Sequence, residues 1–229
     1  MRLRFVVLLC LLSSFSISAQ DILFVGNSLT YTNDLPEILQ KIGKQYNLNI
    51  NTTCICRPNY AIIDHINDGR IQQVIAQENF DYLITQQGPS SQSEGLKMLV
   101  EDGKLLKEIA DAKGIQMGYF MVWTSLAWYQ TMDKVIENHT VAGKKNNALL
   151  FRVGEVWRAY QKLESKENLY QGDGFHPSQA GSFMAALVIF HQLHPDKDLT
   201  DLDHEFVSNW LKKEGSYSIM VNTIRSVVD

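Results

Sequence analysis

The sequence predicts an α/β fold in which a five-stranded parallel sheet lies between two layers of helices. Five apolar runs of strand length occur along the chain, and longer segments with apolar residues at every third or fourth position separate them. Such alternation is typical of parallel sheets that carry helices on both faces, a three-layer α/β/α sandwich. No repeat, linker or low-complexity segment interrupts the pattern, so we expect a single domain over residues 21–229.

The first half of the chain supplies three strands and three helices. Residues 22–25 are continuously apolar and residues 48–55 alternate, as strands do, and 82–85 has the character of a buried strand. Between them, residues 35–46 place apolar side chains along one helical stripe, with Asp34 as the expected N-cap and Pro36 in the first turn. Residues 62–75 and 96–112 show a helical pattern, and Gly114 follows the second of these.

The second half continues the alternation. Strands are expected at residues 116–123 and 148–153, and helices at 132–145, 156–163 and 178–193. The last of these helices is strongly apolar, which predicts burial on all sides. Two short amphipathic segments, near 203–211 and 218–228, complete the chain.

The first twenty residues have the layout of a secretory signal peptide. Two arginines precede an apolar run at residues 5–12, which is too short to span a bilayer, and small and polar residues follow. We expect cleavage next to Ala19 or Gln20, and hence a secreted or periplasmic domain. Lipid attachment at Cys10 is not expected, because bulky leucines precede it where a lipidation signal requires small residues.

Charge and cysteine content exclude several classes of function. The chain carries 21 basic and 25 acidic residues, for a formal net charge of −4, and no basic cluster that would predict nucleic acid as a partner. No apolar stretch after residue 20 is long enough for a membrane helix. Only Cys54 and Cys56 follow the signal peptide. On a strand they would share a face, which favours packing over a bridge. No metal-ligand spacing is present, and we expect neither a metal nor a cofactor.

Two polar segments at opposite ends of the domain carry residues suited to nucleophilic catalysis. Gly26-Asn27-Ser28 follows the first predicted strand, and Asp173-Gly-Phe-His176 places a carboxylate three residues before a histidine. A serine hydroxyl needs a base to remove its proton, and that base needs an orienting group. Imidazole exchanges protons near neutrality. Alone, Gly26–Ser28 would fit a phosphate- or sugar-binding turn equally well, and the Asp/His segment an unrelated loop. Together they predict a serine hydrolase.

The predicted topology brings further polar residues to the same place. Right-handed crossovers put the carboxyl ends of parallel strands at one edge of the sheet, where ligands bind. Ser28 follows the first strand, Gln86 and Gln87 follow the third, and Trp123 ends the fourth. We therefore expect these residues to lie close together.

The two motifs resemble those of a known family. Gly26-Asn27-Ser28-Leu29-Thr30 resembles the first sequence block of the SGNH/GDSL hydrolases, in the variant with Asn before the serine. Asp173-Gly-Phe-His176-Pro177-Ser178, followed by Gly181, is similar to their last block. The resemblance covers essentially the whole chain after the signal peptide and implies a flavodoxin-like sheet. It also implies Ser28 as nucleophile, His176 as base and Asp173 as the residue that orients the base.

The middle blocks of that family depart from its pattern here. The family's oxyanion hole takes the backbone N–H of the nucleophile, a glycine N–H after the second strand and an asparagine side chain after the third. In this chain Ser28 is the expected first donor, and Asn59 stands where the glycine is missing. Gln86 is the favoured side-chain donor, with Gln87 close behind, since glutamine carries the same amide on one more methylene.

The function that this resemblance implies is a secreted serine esterase that forms an acyl-serine intermediate. Export, the glutamine-type third block and aromatic residues at the site edge favour a short-acyl, acetyl ester of a carbohydrate. Asn27, Tyr31 and Trp123 are the expected substrate contacts, although a core position suits Trp123 equally well. His65 packs near the site or faces solvent. A lipid esterase or thioesterase would use the same triad, and a non-catalytic glycan-binding protein would explain the missing glycine. The acyl group, the alcohol and the oligomeric state stay open.

Overall fold

A computed structural model describes residues 19–164 and 166–229 of the chain. The predicted signal peptide therefore lies outside the described residues except for Ala19 and Gln20, and Gln20 already belongs to the first strand. The described strands are β1 (Gln20–Gly26), β2 (Ile50–Cys56), β3 (Tyr82–Thr85), β4 (Gln116–Phe120) and β5 (Leu149–Phe151). All pair in parallel in the order β2-β1-β3-β4-β5, which confirms the predicted five-stranded parallel sheet.

Ten α-helices occur in the described ranges. They are α1 (Ser28–Tyr31), α2 (Leu35–Gln45), α3 (Ile62–Asp68), α4 (Arg70–Gln77), α5 (Ser93–Asp111), α6 (Met132–Lys145), α7 (Val153–Gln161), α8 (Gln179–Leu193), α9 (His204–Ser208) and α10 (Ser216–Val228). Short 3₁₀ turns lie at Thr32–Asp34, Leu126–Thr131 and Leu199–Asp201. In this part of the chain, no helix is both long and apolar enough to cross a membrane.

Alternating side chains of the strands divide the core between the two faces of the sheet. In β1, Ile22 and Phe24 belong to one buried cluster and Leu23 and Val25 to the other, as the two-residue period of a strand requires. The first cluster includes α8, which is buried along almost its whole length and packs against α2 and α7. The second lies under α3, α4 and α5. The three-layer α/β/α architecture is thereby confirmed.

Several element boundaries differ from the sequence prediction. Residues 62–75 form two helices, α3 and α4, because the chain turns at Gly69, whose φ of 73° ends the first helix. Strand β4 ends at Phe120 rather than at residue 123, and β5 spans only three residues. Asp34 precedes α2 but makes no capping hydrogen bond, because its backbone is left-handed, with φ 58° and ψ 52°, and an N-cap is ordinarily extended.

The expectation that Cys54 and Cys56 only pack is wrong. The two residues form a disulfide, with their Cα atoms 5.5 Å apart at the end of β2. A common face brings both side chains to the same side of the strand, and Cα separations of 4.4–6.8 Å are usual for disulfides. The shared face that favours packing is therefore also what permits the bridge.

Candidate active site

The nucleophile turn joins β1 to α1 at the carboxyl edge of the sheet. Ser28 is the first residue of α1, a position whose backbone N–H has no acceptor within its own helix. Asn27 caps this helix, because its side-chain oxygen accepts a hydrogen bond from the N–H of Leu29 at 3.1 Å. Its amide nitrogen donates to the carbonyl of Tyr60 at 3.1 Å. Both ends of the Asn27 side chain are thus used within the protein, although the residue borders the cleft in which a substrate contact is expected.

Only a glycine fits at the end of β1, where Gly26 lies. A Cβ atom at this position would lie 2.5 Å from the Thr30 hydroxyl and 2.9 Å from the Gln86 side-chain oxygen. Both distances are shorter than van der Waals contact, so any side chain would displace the turn. The glycine of the Gly-Asn-Ser motif is therefore a packing requirement of the nucleophile turn.

The structure brings Ser28, His176 and Asp173 into one hydrogen-bonded line. His176 Nε2 lies 3.0 Å from Ser28 Oγ, and His176 Nδ1 lies 2.5 Å from Asp173 Oδ2. These are the contacts by which a base removes a serine proton while a carboxylate orients the base. The line spans 148 residues of sequence between serine and histidine. The fold therefore assembles the arrangement that the two motifs predicted.

Residues 170–177 form a closed loop that holds His176 and Asp173. Tyr170 and Pro177 face each other as an antiparallel bridge, and Gln171 N–H donates to the His176 carbonyl at 2.8 Å. Within the loop, Asp173 Oδ1 accepts from the backbone N–H groups of Phe175 and His176, at 2.9 and 3.0 Å. The carboxylate is thus fixed by the backbone before it meets the imidazole.

Hydrogen bonds lower the pKa of Asp173 to about 2, below its ordinary 3.8. The His176 imidazole is the largest cause, and the backbone N–H groups add to it. The Asp173 side chain is 48% exposed, so solvent screens part of this effect. The carboxylate is consequently ionised near neutral pH.

Trp123 does not contact the cleft, so its expected role as a substrate contact is wrong. The indole is fully buried and lies flat against Trp157, with the ring centroids 3.6 Å apart and the planes 7° apart. Its Nε1–H donates to the Phe175 carbonyl at 3.0 Å. Since β4 ends before Trp123, the Trp123 side chain lies in the core. From there its hydrogen bond to Phe175 supports the loop that carries His176.

A cleft of about 440 Å³ opens beside Ser28. Its lining is rich in amide, hydroxyl and backbone groups, and Met98 and Phe175 supply apolar surface. Volumes of this size are usual for sites that hold small ligands. Tyr31 is 40% exposed and does not line this cleft, so the structure gives no support to its expected substrate contact.

The two glutamines after β3 point to different sides of the sheet. Gln87 lines the cleft; its side-chain oxygen accepts from the Ile62 N–H at 2.9 Å, and its amide nitrogen meets only the Met98 sulfur, at 3.8 Å, among the described residues. Gln86 is 1% exposed and lies beneath the nucleophile turn. Its oxygen accepts from Asn27 N–H at 3.0 Å and from the Thr30 hydroxyl at 3.1 Å. The preference for Gln86 over Gln87 as a cleft-facing donor is therefore wrong, because successive residues of an extended chain alternate in direction.

Asn59 occupies the place of the missing glycine and adopts a glycine-like backbone. Its φ is 62°, in the left-handed region that asparagine tolerates better than most residues. The residue lines the cleft together with Tyr60 and Ala61. Asn59 thus lines the cleft from a turn with a left-handed backbone.

His65 is a site residue whose position the sequence left open. It is 1% exposed, and its Nε2 lies 2.8 Å from the Gly26 carbonyl oxygen, directly behind the nucleophile turn. Burial lowers the pKa of His65 from its ordinary 6.5, which keeps the imidazole neutral near pH 7. A lone histidine in a helical pattern gives no sequence signal for this contact.

Solved structures show what the fold is similar to. A candidate SGNH hydrolase from Slackia heliotrinireducens is 26% identical and superimposes with a TM-score of 0.66, over 77% of this chain and 100% of the other. A DUF4886 family protein from Bacteroides uniformis is 13% identical, with a TM-score of 0.75 over 92% and 95% of the two chains. An acetyl xylan esterase from Geobacillus stearothermophilus is 14% identical, with a TM-score of 0.54 over 77% and 94%.

No protein-family model and no curated protein matches the chain. The resemblance to SGNH/GDSL hydrolases that the two motifs indicated is nevertheless confirmed by the structural neighbours, and the chain has the fold of those hydrolases.

Proposed function

We propose that this protein is a serine esterase that hydrolyses its substrate through an acyl-serine intermediate. The observation that carries the proposal is the continuous line from Ser28 Oγ through His176 to Asp173, with contacts of 3.0 and 2.5 Å. Ser28 Oγ attacks the ester carbonyl while His176 Nε2 accepts its proton. His176 then returns that proton to the departing alcohol, and a water molecule activated by the same imidazole releases the acid.

Donors for the developing oxyanion are available at the cleft. The Ser28 N–H, the Asn59 N–H and the Gln87 amide nitrogen are the groups that we assign to this role, and Ser28, Asn59 and Gln87 all line the cleft. Gln87 suits the role of an oxyanion donor because the Ile62 N–H holds its side-chain oxygen, so that the amide nitrogen is free to face the cleft. Two or three such donors supply much of the rate enhancement of acyl-transfer enzymes.

We infer that the substrate is a short-acyl ester, and in particular an acetyl ester of a carbohydrate. The cleft offers a polar alcohol hydrogen-bonding partners, because amide and hydroxyl groups of Asn59, Gln87, Ser90, Ser91 and Gln92 line it. Apolar side chains such as Leu29, Met98 and Phe175 line the same cleft and are available to a short acyl group. One structural neighbour is an acetyl xylan esterase, an enzyme of this substrate class.

The proposal is tested by hydrolysis of p-nitrophenyl esters of increasing chain length by the purified protein. We expect activity on the acetate that falls steeply with chain length, and a loss of several orders of magnitude in kcat for Ser28→Ala and for His176→Ala. Activity that rises with chain length would favour a lipid esterase or thioesterase. A folded protein without activity on any ester, and without labelling by a fluorophosphonate, would contradict the esterase and favour a glycan-binding protein.

For the carbohydrate part, the matched substrates are an acetylated xylan oligosaccharide and p-nitrophenyl acetate. A glycan-directed enzyme should show the higher kcat/KM on the oligosaccharide, because the polar cleft binds its alcohol portion as well as its acyl group. An equal or lower kcat/KM on this substrate would contradict xylan esters as the substrate, and other acetylated glycans would be tested next.

A further inference from the structure

The peptide bond between Gly26 and Asn27 is held by a buried side chain at each end. At its carbonyl, His65 Nε2 lies 2.8 Å from the Gly26 oxygen. At its amide, the Asn27 N–H donates to Gln86 Oε1 at 3.0 Å. This peptide lies one residue before Ser28, the proposed nucleophile, and Asn27 alone links the two, so the orientation of the peptide constrains where the serine lies.

The chemistry of these contacts fixes the state of both side chains. A carbonyl oxygen can only accept, so the His65 Nε2 must carry the ring hydrogen, and Nδ1 is then an unprotonated, buried nitrogen with no partner among the described residues. Likewise a backbone N–H can only donate, so the Gln86 oxygen faces Asn27. The Gln86 amide nitrogen is buried and has no hydrogen-bond partner among the described residues. Each side chain thus holds this peptide with one polar group and leaves its other polar group without a partner among the residues that the structure describes.

Such groups carry a cost, because a buried donor or acceptor without a partner destabilises a fold. An apolar side chain at either position would avoid that cost. The Gly26 carbonyl does not need His65 for satisfaction, since it also accepts from the Arg57 N–H at 3.0 Å. Because the Gly26 carbonyl already has a hydrogen-bond donor in Arg57, the contact to His65 serves to orient the carbonyl.

Resting on the esterase proposed above, we infer that His65 and Gln86 are positioning residues that hold the Gly26–Asn27 peptide so that Ser28 meets His176 and its N–H faces the cleft. Neither residue touches the reacting atoms. Small displacements of a nucleophile are costly in enzymes, since misplacement by about 1 Å can lower the rate by about 100-fold. We name these two side chains the peptide clamp.

The test compares variants by their rate of labelling with a fluorophosphonate and by the kinetics of p-nitrophenyl acetate hydrolysis. His65→Leu removes the donor, whereas His65→Gln places an amide nitrogen near the position of Nε2. We expect His65→Leu to lower the labelling rate and kcat by about 10- to 100-fold with little change in KM, and His65→Gln to restore most of the loss. The pH profile of His65→Gln should match that of the wild type, because His176 and not His65 exchanges the proton.

Gln86 supplies an independent arm with a matched control. Gln86→Met removes the acceptor for the Asn27 N–H and is expected to slow labelling to a similar degree. Thr30→Val removes the other hydrogen bond to the same oxygen, leaves the clamped peptide intact, and should label at close to the wild-type rate. Circular dichroism and thermal unfolding of each variant separate misfolding from misplacement.

The outcomes distinguish the clamp from the proposed function. A wild-type protein that labels, together with folded His65→Leu and Gln86→Met proteins that label equally fast, would overturn the clamp and leave the esterase standing. Failure of His65→Gln to recover, with a changed pH profile, would mean that His65 takes part in proton transfer and would also overturn it. A folded wild-type protein that neither labels nor hydrolyses any ester would overturn the esterase, and the positioning role with it.

Discussion

Replacing Trp123 with phenylalanine should slow the reaction from a distance. The substitution keeps an aromatic ring against Trp157 but deletes the indole N–H that donates to the Phe175 carbonyl, next to His176. An acceptor left without its donor costs about 1–3 kcal/mol, and the smaller ring leaves a cavity. We expect a total loss of about 3 kcal/mol in the free energy of unfolding, which corresponds to a decrease in Tm of about 6–12 °C for a chain of this size.

The assay for this variant is hydrolysis of p-nitrophenyl acetate well below its unfolding transition. Because the Phe175 carbonyl lies in the loop that holds the imidazole, we expect kcat to fall by about 10-fold while KM changes little. Phe151→Ala is the control. Phe151 is equally buried but lies on β5, the edge strand farthest from β2, and its loss should cost about 3–5 kcal/mol without affecting kcat. A wild-type kcat in folded Trp123→Phe would refute the reasoning that this indole positions His176.

Three further perturbations have expected outcomes set by the described contacts. Gly26→Ala should lower the free energy of unfolding by about 1–3 kcal/mol through overpacking and should also lower kcat. At Gly172 a Cβ meets nothing within 4 Å, so Gly172→Ala should change neither quantity. Urea unfolding and ester hydrolysis measure the two effects. Because the pKa of Asp173 is lower in the folded state than in the unfolded state, the ionised carboxylate stabilises the fold above the unfolded-state pKa. This stabilisation is lost as the pH falls toward 2. The stability difference between wild type and Asp173→Asn should therefore shrink between about pH 5 and pH 2.5, by at most about 1 kcal/mol because the group is exposed. The Cys54–Cys56 disulfide closes only a very short loop, so its reduction should lower the free energy of unfolding by only about 1–2 kcal/mol. A Tm that dithiothreitol leaves unchanged would contradict this expectation.

The layer architecture was predictable because it depends on periodicity alone. Strand β3 and helix α6 begin and end where the sequence pattern places them, at Tyr82–Thr85 and Met132–Lys145. Both have apolar residues at the spacing of one regular element and polar residues at their ends. The pattern failed at residues 62–75, since α3 and α4 have the same helical period and only the backbone of Gly69 separates them.

Within the site, sequence reasoning identified the residues but not the directions of their side chains. Gln86 and Gln87 carry the same amide, and the one-residue difference that turns one toward the core and the other toward the cleft depends on the residue at which β3 ends. The sequence places Trp123 on the correct edge of the sheet, but its side chain points into the core and not into the cleft, because β4 ends three residues before its apolar run does. Such errors arise wherever an apolar pattern continues past the last hydrogen bond of a strand.

The departures from the family pattern also depend on one another. Asn59 has a left-handed backbone, and the loop that carries it is held at two points, where the Asn27 amide donates to the Tyr60 carbonyl and the Gln87 oxygen accepts from the Ile62 N–H. A glutamine is long enough to make this second contact and still present its nitrogen to the cleft. An asparagine in its place would be one methylene shorter. We therefore infer that the longer amide after β3 and the asparagine after β2 compensate for each other, and that the single substitution Asn59→Gly would not raise kcat on p-nitrophenyl acetate.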